Sequence, residues 1–349
     1  MEEPNSEQVD PLIKSCSRKR RFSVDSCLTK SISSSASPFS QMSQSLGSSN
    51  ASLHSDFDAV DIKWTYSDSV LNGDAFKRDI YSIWRIAEAQ LGLSPRFLEA
   101  QKMGVNESSR RDVLLNILRW RENIGITHET LHLAIYIFDK CLDSVQVSEE
   151  TLKDIAAVSL VLASKCEEYK PLQFSNVKDI GLTSSDCVKT FGMWEKTILF
   201  EMGYRLSYPT SFMFMNYFHN CIESSLPVIQ MTNVYILELS LLSTKYRDFG
   251  GAFTAHAAIC LSTAVLAGTS CSPVFVMKTT EDSLWECSGI EKGSTRTVMW
   301  HLLQDYIETA EDKNEIWMEY SSEQRCGSSN HQMPPTLIAA LSDFSSQYW

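Results

Sequence analysis

Residues Val161–Leu172 read VLASKCEEYKPL, and they close a nearly unbroken apolar run that begins at Ile155. Upstream, Ser148 followed by Glu149 and Glu150 supplies a capping side chain and two first-turn carboxylates, both favourable where a helix leaves its N–H groups unpaired. Pro171 stops the helix. A helix that is apolar on every side must be surrounded by others, so the segment predicts the centre of a helical domain. Its last turn nevertheless carries Lys165, in the row of Val158, Val161 and Leu162. A cation in such a row has to be paired or has to meet a partner.

The flanking segments each show one apolar face. On the N-terminal side these are residues 74–95 (Ile80, Ile83, Trp84, Ala87), 108–126 (Val113, Leu114, Ile117, Leu118, Ile124) and 128–143 (Leu131, Ala134, Ile135, Phe138, Leu142). On the C-terminal side, residues 184–206 carry Val188, Phe191, Ile198, Leu199 and Met202, with Glu195 interrupting the stripe between Phe191 and Leu199. Pro209 breaks the pattern, and a second group follows at 210–223, 230–246, 251–268, 281–289 and 294–312. Strand-like alternation is absent. The expectation is an all-α protein of two consecutive five-helix domains, 74–208 and 209–320, with 321–349 as a tail. Residues 1–57 are Ser-rich and aperiodic, and such a segment buries too little apolar surface to offset its ordering entropy.

The 349 residues carry a net charge of −12 with a pI near 5.1, which disfavours direct nucleic-acid binding because counterion release needs dense Lys and Arg. Ten cysteines include no C-x-x-C pair and no zinc-finger spacing, so no metal is expected, and they read as reduced thiols inside a cell. The N-terminus lacks a signal-peptide design, and the most apolar later run is interrupted by His256, so no membrane association is expected. No G-x-S-x-G, Walker-type or H-E-x-x-H motif is present, and His132 reads as a packing residue, so neither catalysis nor a cofactor is expected. Arg18, Lys19, Arg20 and Arg21 form a basic cluster that predicts nuclear import, with a cytoplasmic pool.

The motif LVLASKCEEYKPLQFSNV resembles the central motif of the cyclin box, where a Leu-rich helix ends Ala-Ser-Lys-x-Glu-Glu before a Pro-containing turn. WEKTILFEMGYRLSYPTSF is similar to the family's next helix and the Pro-Thr that opens a second box, and ETLHLAIYIFDKCL to its third helix. Over residues 74–336, ending at MPPTL, the chain resembles cyclins of the A, B and E type.

The resemblance implies a regulatory subunit of a cyclin-dependent serine/threonine kinase that controls cell-cycle progression. It makes Lys165 and Glu195 the pair that hydrogen-bonds the kinase backbone ahead of its αC helix. Leu162, Cys166, Leu199, Tyr204 and Leu206 would surround them, Cys166 replacing an aromatic residue of many relatives. Ile80 and Ile83 would touch the kinase from the N-terminal helix. Arg111 and Asp139 would form the family's internal ion pair. In the family's R-x-L docking patch, Arg110 would replace Met, Ile117 the Trp and Lys153 the Gln, which makes R-x-L substrate docking doubtful. Family destruction signals are not supported either: no K-E-N occurs, and the R-x-x-L at Arg111–Leu114 lies on a helix. The alternative is a kinase-independent scaffold of the same fold in transcription.

Overall fold

The computed structural model describes residues 73–345, apart from 95, 184–187, 223–225 and 268–270; the Ser-rich segment and the cluster Arg18–Arg21 lie outside them. Among the described residues every regular element is helical. The first box comprises α2 (Glu107–Ile124), α3 (His128–Ser144), α4 (Glu149–Glu167), the short α5 (Phe174–Asp179) and α6 (Val188–Glu201). The second comprises α7 (Ser211–Ile222), α8 (Pro227–Leu241), α9 (Gly251–Leu266), α10 (Pro273–Ser288) and α11 (Arg296–Asp312).

In each box the helix that is apolar all round is the hub. α4 packs against α2, α3 and α6, and α9 against α7, α8, α10 and α11. Ser148 occupies the N-cap of α4, but its hydroxyl turns to Thr151 Oγ1 (3.1 Å) instead of to a backbone N–H. α8 and α10 begin earlier than the apolar periodicity suggests, at Pro227 and Pro273, where the missing proline N–H belongs to a turn that leaves its donors unpaired in any case.

The helix expected to open the first box, α1 (Gly73–Leu91), lies on the second. Its Tyr81 stacks on Tyr217 of α7 (centroids 4.8 Å apart), and Trp84 meets Phe214 edge-on. Glu88 accepts hydrogen bonds from the Gly251 and Ala252 N–H groups and so caps α9, 163 residues further along the chain. At its end α1 reaches the first box, where the Tyr136 hydroxyl donates to the Leu91 carbonyl (2.9 Å). A short helix, α12 (Glu315–Tyr320), ends the second domain, and the segment expected as a tail contains α13 (Pro335–Ser345), which packs on α11 with Leu337 and Leu341 buried.

Two arginines of α2 lock the boxes together. Arg110 Nε and Nη2 donate to the two carboxylate oxygens of Asp139 on α3 (2.7 and 2.8 Å), and its remaining donors reach the carbonyls of Leu241 and Leu242 at the end of α8 (3.0 and 3.3 Å). Arg247 completes the Asp139 carboxylate (2.5 Å). The internal ion pair is therefore made by Arg110, not Arg111. The buried face of α2 runs Arg110, Val113, Leu114, Ile117, Leu118, Arg121, and Arg111 stands one residue, about 100°, round from it. Three turns on, Arg121 bonds Glu238 of α8 and Glu319 of α12, while His128 Nδ1 lies 2.9 Å from the same Glu238 carboxylate.

Removing Arg110 takes two of three donors from the buried Asp139 carboxylate and leaves the Leu241 and Leu242 carbonyls without theirs, so Arg110→Met should lower unfolding free energy by about 3–5 kcal/mol. Arg111→Met should change it by no more than about 0.5 kcal/mol. Urea denaturation of the two variants distinguishes the assignments.

Acid should also loosen the fold. Burial lowers His132 to about 3 and His219 and His256 to about 4, so all three stay neutral in the folded protein. The unfolded chain protonates them below about 6.5, so stability is present above that pH and falls as pH drops through the window towards 4. At pH 5 each accounts for a loss of about 2 kcal/mol. Burial raises the Glu238 carboxyl, but Arg121 and His128 outweigh this and bring it to about 2, adding a second loss below about pH 4.5. The urea midpoint should fall steadily from pH 7 to pH 5; a flat profile would show that these imidazoles protonate without unfolding.

Candidate partner-binding site

The turn after α4 assigns a separate task to each residue of Ala163–Glu168. Ala163 is wholly enclosed. Ser164, also buried, accepts from the Leu172 N–H through Oγ (2.9 Å) and donates to the Val161 carbonyl (2.8 Å), which folds the Pro171 segment back beneath the helix end. Glu168 crosses to the N-terminus of α3, where one carboxylate oxygen accepts from the Thr127 N–H (2.7 Å), the Thr127 hydroxyl (3.0 Å) and the Thr130 hydroxyl (2.6 Å). Partial burial raises its carboxyl, and these bonds more than reverse the effect. Glu167 is held above its usual range by burial and by Glu129 and Glu168.

Lys165 is the first residue of α4 to emerge after the enclosed run Asp154–Ser164, and its ammonium donates to Glu195 of α6. Unlike Arg110 and Asp139, both partners keep contact with water: the Lys165 side chain is 45% exposed and that of Glu195 26%. The pair is therefore formed yet accessible.

The surrounding residues divide. Leu199 and Leu206 are half-buried against the core, while Cys166 and Tyr204 are exposed, Tyr204 by 72%. Tyr204 follows Gly203, and both have positive φ (60° and 57°). Its N–H returns to the Leu199 carbonyl (2.8 Å), which closes the end of α6 and leaves the ring exposed. Leu162 departs from expectation. It is only 2% exposed, because α4 is enclosed as far as Ser164, and it belongs to the core rather than to a contact patch. On α1, Ile80 is half-buried and Ile83 exposed, as the side opposite Tyr81 requires.

Sequence periodicity missed three exposed apolar side chains here: Phe200 (70% exposed), Met193 and, in the turn after α4, Tyr169. Phe200 lies seven residues, two turns, from Met193, so the two share one side of α6. An aromatic on the otherwise polar side of an amphipathic helix was the available signal.

The docking-patch register also changes. Arg110 is wholly buried and cannot repel a ligand arginine. With Arg110 as the ion-pair residue, the run starts at Ser109 and the position expected at Ile117 falls on Asn116, whose amide donates to the Asp112 carbonyl (3.1 Å); Ile117 itself is core. Lys153 is exposed. Among the described residues no group of His, Cys, Asp and Glu side chains is arranged to hold a metal, and no helix is long and apolar enough to cross a membrane.

Residues 79–207 match the family described as cyclin, N-terminal domain, and residues 209–334 that described as cyclin, C-terminal domain. The chain belongs to the cyclin family and carries two cyclin boxes. It is 26% identical over 218 residues to a G2/mitotic-specific cyclin-1 of Medicago sativa subsp. varia, covering 61% of this chain and 50% of the relative. It is 28% identical over 191 residues to a G2/mitotic-specific cyclin-B2 of Rana japonica, covering 54% and 47%. It thus spans about half the length of these relatives. Among solved structures, a viral cyclin from herpesvirus saimiri shares the fold with a TM-score of 0.55 and 16% identity, over 65% of this chain and 96% of that one.

Proposed function

We propose that this cyclin binds a cyclin-dependent serine/threonine kinase and activates it, performing no chemistry itself. The observation that carries the reading is the water-accessible Lys165–Glu195 pair, set at the end of the hub helix between exposed apolar side chains. A partner backbone that covered the pair would meet an ammonium donor and a carboxylate acceptor already fixed in position, so little ordering entropy opposes binding. The apolar rim of Leu199, Leu206 and Tyr204, with Ile80, Ile83 and Cys166 further out, would receive the kinase αC helix. Holding αC inward lets its glutamate reach the strand lysine that grips the ATP phosphates. The mitotic names of the B-type relatives support a place in cell-cycle progression.

Truncating one member of a charged pair buried in an interface costs about 2–5 kcal/mol, so Lys165→Ala or Glu195→Ala should weaken kinase binding at least tenfold. Exposed pairs contribute about 1 kcal/mol or less to folding, so both variants should keep their helical circular dichroism. The double variant should lose little more than either single one, because both side chains address one short segment. Co-purification of kinase and a phosphotransfer assay read the result. Variants that fold and still activate fully would place the kinase on another surface, variants that unfold would make the pair structural, and a wild-type chain that captures no kinase would favour a kinase-independent scaffold.

We further propose that the protein acts in the nucleus, with a cytoplasmic pool, and that Arg18, Lys19, Arg20 and Arg21 direct import. Replacing all four by alanine should move a tagged protein towards the cytoplasm on fluorescence imaging. An unchanged nuclear signal would assign import to another segment or to the kinase.

A further inference from the structure

Two cysteines far apart in the sequence meet in the second box. Cys221 lies in the last turn of α7 and Cys287 in the last turn of α10, and their thiols are in hydrogen-bonding contact. Two neighbouring bonds hold this juxtaposition: the Tyr217 hydroxyl, one turn before Cys221, donates to the Cys287 carbonyl (3.1 Å), and Cys287 Sγ donates to the Leu284 carbonyl (3.3 Å). Both cysteines are half-buried, whereas Cys141 and Cys260 are buried. Arg78 of α1 favours the Cys287 thiolate, against the stronger opposing effects of its bond to Cys221 and of burial.

We propose that Cys221 and Cys287 form a reversible disulfide site, oxidised by hydrogen peroxide, that staples the end of α7 to the end of α10. In the first step one thiolate attacks the peroxide: an S–O bond forms, the O–O bond breaks, and the released hydroxide takes a proton to leave as water. In the second, the other thiol's sulfur displaces the sulfenic oxygen: the S–S bond forms, the S–O bond breaks, and a second water leaves. Two thiols are oxidised and one peroxide is reduced to two waters. The Cys221 bond and burial hold the Cys287 thiol above its ordinary range, which slows the first step.

The staple closes a loop of about 65 residues, a length for which constraint of the unfolded chain is substantial. It fixes the floor under α1, where Tyr81 rests on Tyr217, and leaves Lys165 and Glu195 untouched. The oxidised form is thus a sturdier second box.

The test treats the full chain with hydrogen peroxide, blocks remaining thiols by alkylation and maps the digest by mass spectrometry. The expected result is one cross-linked pair of peptides joining Cys221 to Cys287, lighter than the reduced pair by its lost hydrogens and separated again by dithiothreitol. The melting temperature should rise by several degrees in the oxidised wild-type chain, and by none in Cys221→Ser or Cys287→Ser. Recovery of both residues alkylated, as separate sulfinic acids, or linked to other cysteines would overturn the proposal. The wild-type map decides this even if a serine variant folds poorly.

Discussion

The bonds of Arg110 set the relation between the two boxes. A guanidinium and a carboxylate taken wholly out of water are expensive unless they are hydrogen-bonded, and here Asp139 and two carbonyls at the end of α8 accept four bonds from Arg110. Arg110 belongs to the first box and those carbonyls to the second. A rotation between the boxes would strand a buried charge, which the hydrophobic contacts alone would not penalise so steeply. Arg121 repeats the device on the same face of α2, where it engages Glu238 and Glu319. Two such locks at the ends of one helix define an orientation, where a single one would leave a pivot.

That rigidity matters because the candidate site draws on both halves of the molecule. Lys165 and Glu195 stand on the first box, but α1, with Ile80 and Ile83, is seated on α7 and α9 through Tyr81, Trp84 and Glu88. A partner that touched both would require their separation to be fixed beforehand. The α2 locks, together with the Tyr136 bond to Leu91, supply this constraint within the fold.

The hub helices and the apolar faces were legible in the sequence because burial writes itself locally, at a period of 3.6 residues. Lys165 and Glu195 were legible for the converse reason, as charges placed on such faces. What stayed hidden depends on contacts between distant segments. Arg110 and Arg111 are adjacent cations, and only the packing of α2 shows which one turns inward. Leu162 lies in the same row as Lys165, yet the enclosure of α4 ends between them, a boundary that composition does not mark. The attachment of α1 to the second box rests on a stacked tyrosine pair and a carboxylate cap, each more than a hundred residues apart in sequence. Phe200 was passed over because it breaks the amphipathic pattern instead of continuing it.

The two charged pairs also show how one kind of chemistry is put to different ends by its surroundings. Around Arg110 and Asp139 every lone pair and proton faces protein, so the pair contributes orientation and is closed to anything else. At Lys165 and Glu195 a cation-to-carboxylate contact is left partly in water, where it is worth little to folding. Its value rises once a second surface excludes that water, because the interaction strengthens as the local dielectric falls. Placing Lys165 one residue beyond the enclosed part of α4 achieves this: Ser164 anchors the turn, Glu168 pins it to α3, and the lysine between them is held still without being buried.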